Sequence, residues 1–326
     1  MVSHPCRAGV VLALAVGFGS LVTGRSDVPS PSRLSVDRPG ATLPVVREVR
    51  YRMAGKIRPL LFWIGRDHLG AGHIVWRRGA DRRVAYELLI GTDPEIAPRR
   101  LNRWGYLAEE VQGSTGRVLG AIVDADADTT VGAVETRLDN RSGGNAFKAV
   151  RYVVDSESST ARISTVRGDR ELTFRDLDTL LSLTNEASDG APPRVTPRPS
   201  GTRSGFLASM GEILHETVEA ATRVRSTSPS ALVRPRPYIY GDQLHDLTLR
   251  SHRLQDRREI GDHTYHRVIH GKFQTRSRET GKRYRFEIVY GTEGVLAEVP
   301  IWIRYHPRWW LRVELFLEED GSPETP

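Results

Sequence analysis

Tyr284-Arg285-Phe286-Glu287-Ile288-Val289-Tyr290, residues 284–290, places an apolar side chain at every second position. Side chains on a strand alternate between faces, so this stretch reads as a strand with Ile288 on a buried face and Glu287 on a wet one. On that reading Ile288→Asp is strongly destabilising and Glu287→Gln changes little. The pattern continues downstream. Val295, Ala297, Val299, Ile301 and Ile303 alternate with Glu298, Trp302 and Arg304, and Leu311, Val313, Leu315 and Leu317 alternate with Arg312, Glu314 and Glu318. Turns are expected at 279–282, 291–294 and 306–308. Pro300 has no N–H for a ladder and therefore needs an edge position or a bulge. With 246–254 and 263–275 added, the region forms a five-stranded antiparallel meander, long enough to twist and curl into a half-closed barrel.

The first half reads the same way with weaker signals. Short β-type runs fall at 46–53, 60–64, 73–76 and 84–90, separated by expected turns at Gly65, Gly70, Gly72 and Gly79. Residues 92–103 hold Pro94 and Pro98 and are expected to be largely irregular. Trp104 opens a further apolar segment, and 147–154 with 161–166 suggests a hairpin. Two helices interrupt the strands. Thr173 and Asp176 have capping-box spacing, followed by Phe174, Leu177, Leu180 and Leu181 on one face. From about Gly205 to Arg223, Phe206, Met210, Ile213, Leu214, Val218 and Ala221 form a stripe at the helical period, with Glu212, Glu216 and Glu219 opposite. Pro/Arg/Ser-rich stretches at 188–204 and 226–237 are expected to tether these helices flexibly. The fold class expected is α+β and β-rich: a curved antiparallel sheet or half-open barrel with two amphipathic helices packed on it. Its regions are 45–170, 171–237 and 238–318, after a disordered lead at 25–44 and before a disordered tail at 319–326.

Residues 8–22 are an apolar run of signal-peptide length, too short to span a bilayer, followed by Val22-Thr23-Gly24. Cleavage is expected near Gly24, giving a periplasmic or secreted chain with no spanning segment. The single cysteine, Cys6, falls inside that leader, so disulfides, thiolate nucleophiles and cysteine metal sites are excluded from the mature chain. The formal net charge is +7 and is carried by arginine, since Lys56, Lys148, Lys272 and Lys282 are the only lysines. No recognition-helix, zinc-finger or RNA-binding signature accompanies this charge, so nucleic acid is not expected as a partner. Composition bias explains the excess, or an attraction to acidic lipid head groups or envelope polyanions.

Gly271-Lys272-Phe273, the 284–290 strand, Gly294 and Ala297-Glu298-Val299-Pro300 ahead of paired aromatics resemble the exported bacterial family called domain of unknown function 3108. The resemblance covers about the last 85 residues. It implies an envelope location and a curved sheet, and it brings no catalytic residues with it.

Asp124, Asp126, Asp128 and Glu135 match positions one, three, five and twelve of a calcium-binding loop. Thr129 stands where such a loop needs glycine, and the rival reading is a short helix capped by Asp128 or Thr129. His245, His252, His263, His266 and His270 cluster, but His266 and His270 stand roughly 13 Å apart along a strand, too far to share one metal. The tract 302–312, with Trp302, Arg304, His306, Arg308, Trp309 and Trp310, suits a membrane interface or arginine stems packed on rings. Neither a nucleophile elbow nor a His-Glu-x-x-His motif is present, and no glycine loop cradles phosphate. The expected function is non-enzymatic binding of a hydrophobic or amphipathic envelope component, lined by Phe206, Met210 and Leu214, with no cofactor or metal. Its partners would be a lipid or other amphiphile, an envelope protein, or a polyanion. The alternatives are an assembly factor pairing through a β-edge and a hydrolase using an Asp/His pair.

Overall fold

The computed structural model describes residues 37–57, 64–123, 146–167, 171–223, 234–308 and 311–318. The leader, the acidic stretch 124–135 and the tail lie outside the described residues. The elements in chain order are β1 (Val45–Ile57), β2 (Ile64–Arg78), β3 (Val84–Thr92), β4 (Trp104–Gln112), β5 (Thr115–Val123), β6 (Ala146–Val154), β7 (Ser158–Arg167), α1 (Leu177–Gly190), β8 (Pro193–Pro197) and α2 (Phe206–Arg223). They continue as β9 (Arg236–Tyr240), β10 (Gln243–Ile260), β11 (His263–Ser277), β12 (Arg283–Gly291), β13 (Pro300–Arg308) and β14 (Leu311–Glu318).

All fourteen strands join one sheet in the order β8-β7-β6-β5-β4-β3-β2-β1-β14-β13-β12-β11-β10-β9. Every ladder is antiparallel. The two halves of the chain are thus two meanders joined at β1 and β14, where Met53 faces Leu315.

The sheet curls because α2 needs apolar partners on more than one side. Phe206, Met210, Ile213, Leu214 and Val218 share one buried cluster with Leu107, Val118 and Tyr152 of one meander and with Tyr238, Leu249, Phe286 and Ile288 of the other. Each fully buried aliphatic or aromatic side chain contributes roughly 1.5–3 kcal/mol, so the five helix residues are a large part of what holds the curve. The sheet ends β8 and β9 then come face to face without forming a ladder. Arg203 bridges this seam through its backbone, donating its N–H to Pro237 O at 2.8 Å and accepting from Ile239 N at 3.1 Å. Thr196 Oγ1 donates to Asp242 O, and Arg194 pairs with Asp242, both at 2.9 Å. This is the expected half-open barrel.

The first helix, α1, packs on the outer side of β5–β7, with Leu180 and Leu181 among Leu119, Phe147 and Ala149. β4, covered by α2 on one face and by the cluster beneath α1 on the other, is buried from Trp104 to Glu110. At β12 the buried face lies where it is expected, with Ile288 4 % exposed, but the opposite face is not wet throughout, since Val289 is fully buried. Pro300 opens β13 opposite a register shift at Val289/Tyr290, as its missing N–H requires.

Several local expectations are corrected. Gly65, Gly70 and Gly72 lie inside β2 rather than in turns. At Gly70 a Cβ would sit 2.0 Å from the Gly91 carbonyl oxygen, so glycine there permits close strand approach. The run 295–299 holds a 3-10 turn, and the strand begins at Pro300. Residues 306–308 continue β13 instead of turning. Order also begins before Val45, because Gly40 N–H donates to Glu110 Oε2 at 2.9 Å and Leu43 is buried. The capping box forms only in part. Asp176 Oδ2 accepts from Thr173 N–H at 2.9 Å, but the Thr173 hydroxyl donates to the same carboxylate and the helix starts at Leu177. Finally, 188–204 is no free tether, since it ends α1, forms β8 and supplies the seam residue Arg203.

Candidate functional site

β10 and β11 form a long hairpin, but β11 pairs with β12 only from Val268 onward. The remaining arm, tipped by Gly261 at φ +58°, is free of the next strand and bends where Arg267 takes φ +47°. A left-handed non-glycine residue re-aims a strand locally. Here Thr292 N–H holds the Arg267 carbonyl at 3.2 Å. The bend brings Ile260, Tyr265 and Val268 against Val289, Ile301, Trp302 and Phe316. Strand alternation puts Val289, Trp302 and Phe316 on the outer face, opposite the inward Ile288, Ile303 and Leu315.

Between the arm and the outer face of β1 and β14 lies a cleft of 620 Å³, lined by Arg50, Arg52, Asp262, His263, Glu318 and an apolar set of Ile260, Tyr265, Ile301, Phe316 and Leu317. Arg52 lies over the Phe316 ring, 4.9 Å from its centroid, and pairs with Asp67 at 3.5 Å. Arg50 is exposed and only loosely held, 3.7 Å from Glu48. The exposed lining of the cleft is more polar than apolar, and it carries the carboxylates Asp262 and Glu318, the latter opposite Arg50 in the ladder, as well as the two guanidinium groups.

Beside it, under the arm, His270 Nε2 lies 2.7 Å from Glu287 Oε2, and Arg304 Nη2 lies 2.6 Å from the same oxygen. Arg304 and Arg258 both lie against the Trp302 ring, at 4.7 and 5.4 Å from its centroid. The hydrogen bond from His270, joined by that from Arg304, holds the Glu287 pKa down to about 2. A carboxylate so acidic stays ionised and makes a poor general base near neutrality. This is a His–carboxylate contact, but its chemistry is that of an ion-pair lattice. The wet-face reading of Glu287 is corrected accordingly. Glu287→Gln is expected to cost on the order of 2 kcal/mol at pH 7, because a half-buried, doubly bonded charge is lost. With its folded pKa depressed, Glu287 contributes stability above the unfolded carboxylate pKa and loses it as pH falls towards 2. Urea melts at pH 7 check this, and an unshifted midpoint would contradict it.

Phe206, Met210 and Leu214 are all buried, packed between the two meanders. In this arrangement they fasten α2 to the sheet, and a cargo touching them requires α2 to swing out. The N-terminus of α2 rests on Glu109, which is fully buried and accepts hydrogen bonds from Leu207 N–H at 3.0 Å and Ala208 N–H at 2.9 Å. Burial pushes its pKa up to about 7 against the pull of those donors. Sequence reasoning missed Glu109, which it passed over inside the apolar segment that Trp104 opens. It also missed the cleft arginines, although Arg50 and Arg52 alternate with Tyr51 and Met53 in a legible strand pattern.

The remaining candidates fall apart spatially. His245 is buried against Tyr238, ring centroids 5.4 Å apart, and burial lowers its pKa to about 4. His266 is exposed, while His270 belongs to the lattice. Among the described residues no group of three or more His, Cys, Asp or Glu could hold a metal ion, and no helix is long and apolar enough to cross a membrane. Trp302 shows the arginine-on-ring packing expected of its tract. The edge strand β8 carries proline at both ends and faces Asp242 across the seam, which blunts it as a template for another chain.

The architecture defines a half-open antiparallel barrel wrapped round a helix. No family model matches the chain, and no curated protein matches it. Among solved structures it is similar to the crystal structure of a beta-barrel-like protein of domain of unknown function DUF1849 from Brucella abortus, at 9% sequence identity and a TM-score of 0.37, covering 85% of this chain and 98% of that chain.

Proposed function

We propose that this protein is a non-enzymatic binder of an amphipathic molecule with an acidic head group, held in the cleft beneath the β10–β11 arm. The observation that carries this reading is the 620 Å³ space in which Arg50 and Arg52 stand beside the apolar side chains of Tyr265, Ile301, Phe316 and Leu317. Ligand sites are typically concave and furnished with polar groups that fix orientation. The acyl portion packs on Phe316, Leu317, Tyr265 and Ile301, and the acid pairs with the two arginines. The reading of residues 1–24 as an export signal supports a component of the bacterial envelope as that molecule.

The test is titration of the purified protein with a fluorescent fatty acid. Binding is expected, with Arg52→Gln weakening it by about tenfold, the size of one lost charge-assisted contact of ~1.4 kcal/mol. A fatty alcohol probe of equal chain length is expected to bind wild type more weakly than the acid. Absence of binding, or equal affinity in Arg52→Gln, would overturn the assignment.

A further inference from the structure

Arginine on most of this protein is paired. Arg83, Arg117, Arg151, Arg203, Arg278 and Arg304 each hold a carboxylate within ion-pair distance. The outer face of β11 and β12 is different. Lys272, Arg276, Arg283 and Arg285 are all exposed there, and the inward Phe273, Thr275, Phe286 and Ile288 fix their facing by alternation. None of the four has an acidic partner among the described residues. Arg276 and Arg283 stand directly opposite in the ladder, an arrangement that costs the sheet roughly 0.2–1 kcal/mol. The acids opposite them in the ladders are engaged elsewhere, Asp246, across from Arg276, by Arg278 at 2.6 Å and Glu287, across from Lys272, by Arg304 and His270. At the centre of the patch Gln274, opposite Arg285, is 7 % exposed, and its Oε1 has no hydrogen-bond partner.

We propose that this face is a binding surface for a linear phosphorylated polymer, which crosses β11 and β12 and places phosphates between Lys272, Arg276, Arg283 and Arg285. Guanidinium forks match phosphate oxygens in bidentate fashion, and an anion between Arg276 and Arg283 relieves their repulsion. A lipid surface is the poorer fit. The outer face is convex, and the exposed large apolar residues Val45, Val46, Ile96, Val153, Val195, Leu254 and Val295 lie elsewhere, so the patch lacks the apolar anchors of interfacial binding. Nucleic acid is the poorer fit as well, because the patch has no aromatic platform for bases.

The test is binding of long-chain inorganic polyphosphate, followed by calorimetry at two salt concentrations. Wild type is expected to bind, with affinity falling steeply as salt rises. The double variant Arg283→Glu/Arg285→Glu is expected to lose at least tenfold while its melting temperature does not fall, since a carboxylate at position 283 would face Arg276. Arg78→Glu, on β2, which β1, β14 and β13 separate from β12 in the sheet, is expected to bind as wild type does. The fatty-acid affinity of the double variant is expected to be unchanged, which separates this surface from the cleft. Absent binding, equal losses in Arg78→Glu, or preference for anionic vesicles or duplex DNA over polyphosphate would overturn the proposal.

Discussion

Replacing Ile288 by Asp is expected to remove most of the protein's stability. Ile288 sits on the inner face of β12, opposite Gly271 and Ile303, inside the cluster that holds α2. The substitution forfeits about 2–3 kcal/mol of apolar burial and adds the cost of an unpaired carboxylate where water is excluded. A combined loss of more than about 4 kcal/mol is comparable to the ~5–15 kcal/mol that folded proteins have in total. Equilibrium urea unfolding checks it. A variant that keeps the wild-type midpoint would mean that the inner and outer faces of β12 have been exchanged.

The second large effect is a pH dependence at the root of α2. Glu109 has a folded pKa of about 7, raised from 4.5 by burial. A raised carboxyl pKa means that the folded state binds the proton more tightly. Its contribution is fully present below the unfolded pKa and is lost as pH climbs through 7, a change of about 3 kcal/mol. The groups that feel its charge are Tyr86, Tyr152, Tyr238 and Tyr240, with Glu212 also acting on Tyr86. All are neutral or acidic, so none offers it a cation. His245 works in the opposite direction. Its pKa is lowered to about 4, so it adds stability as pH rises through that range. The wild-type curve alone therefore mixes the two. Comparison with Glu109→Gln isolates the carboxyl: from pH 5 to pH 8 the variant is expected to gain about 2.5 kcal/mol relative to wild type. A difference between the two proteins that does not change with pH would contradict the buried-acid account.

Strand faces were legible in the sequence wherever one face is wet. The alternation around Ile288 and Leu315 therefore predicted real ladders, and the period of Phe206 to Val218 predicted a real helix. The signal failed where both faces are covered. β4 reads as a featureless apolar segment because it is buried on two sides, and nothing in that pattern marks Glu109 as the buried partner of a helix terminus. Glycine misled for a related reason. Gly70 marks a close backbone approach within a strand, and sequence alone does not separate that from a turn. The cleft was hidden because it depends on a bend at Arg267, a residue with no local signature, which brings the hairpin tip to strands more than forty residues away in the chain. The ion-pair lattice at Glu287 joins three strands and likewise has no one-dimensional trace.

Where an amphiphile binds decides between the cleft and the space beneath α2, and backbone amide chemical shifts followed during titration with a fatty acid report that location residue by residue. The cleft predicts the largest shifts at Arg50, Arg52, Gly261 to Tyr265, Phe316 and Leu317, with 206–214 unmoved. Shifts concentrated at Phe206, Met210 and Leu214 over a silent cleft would contradict it and place the ligand beneath α2 instead.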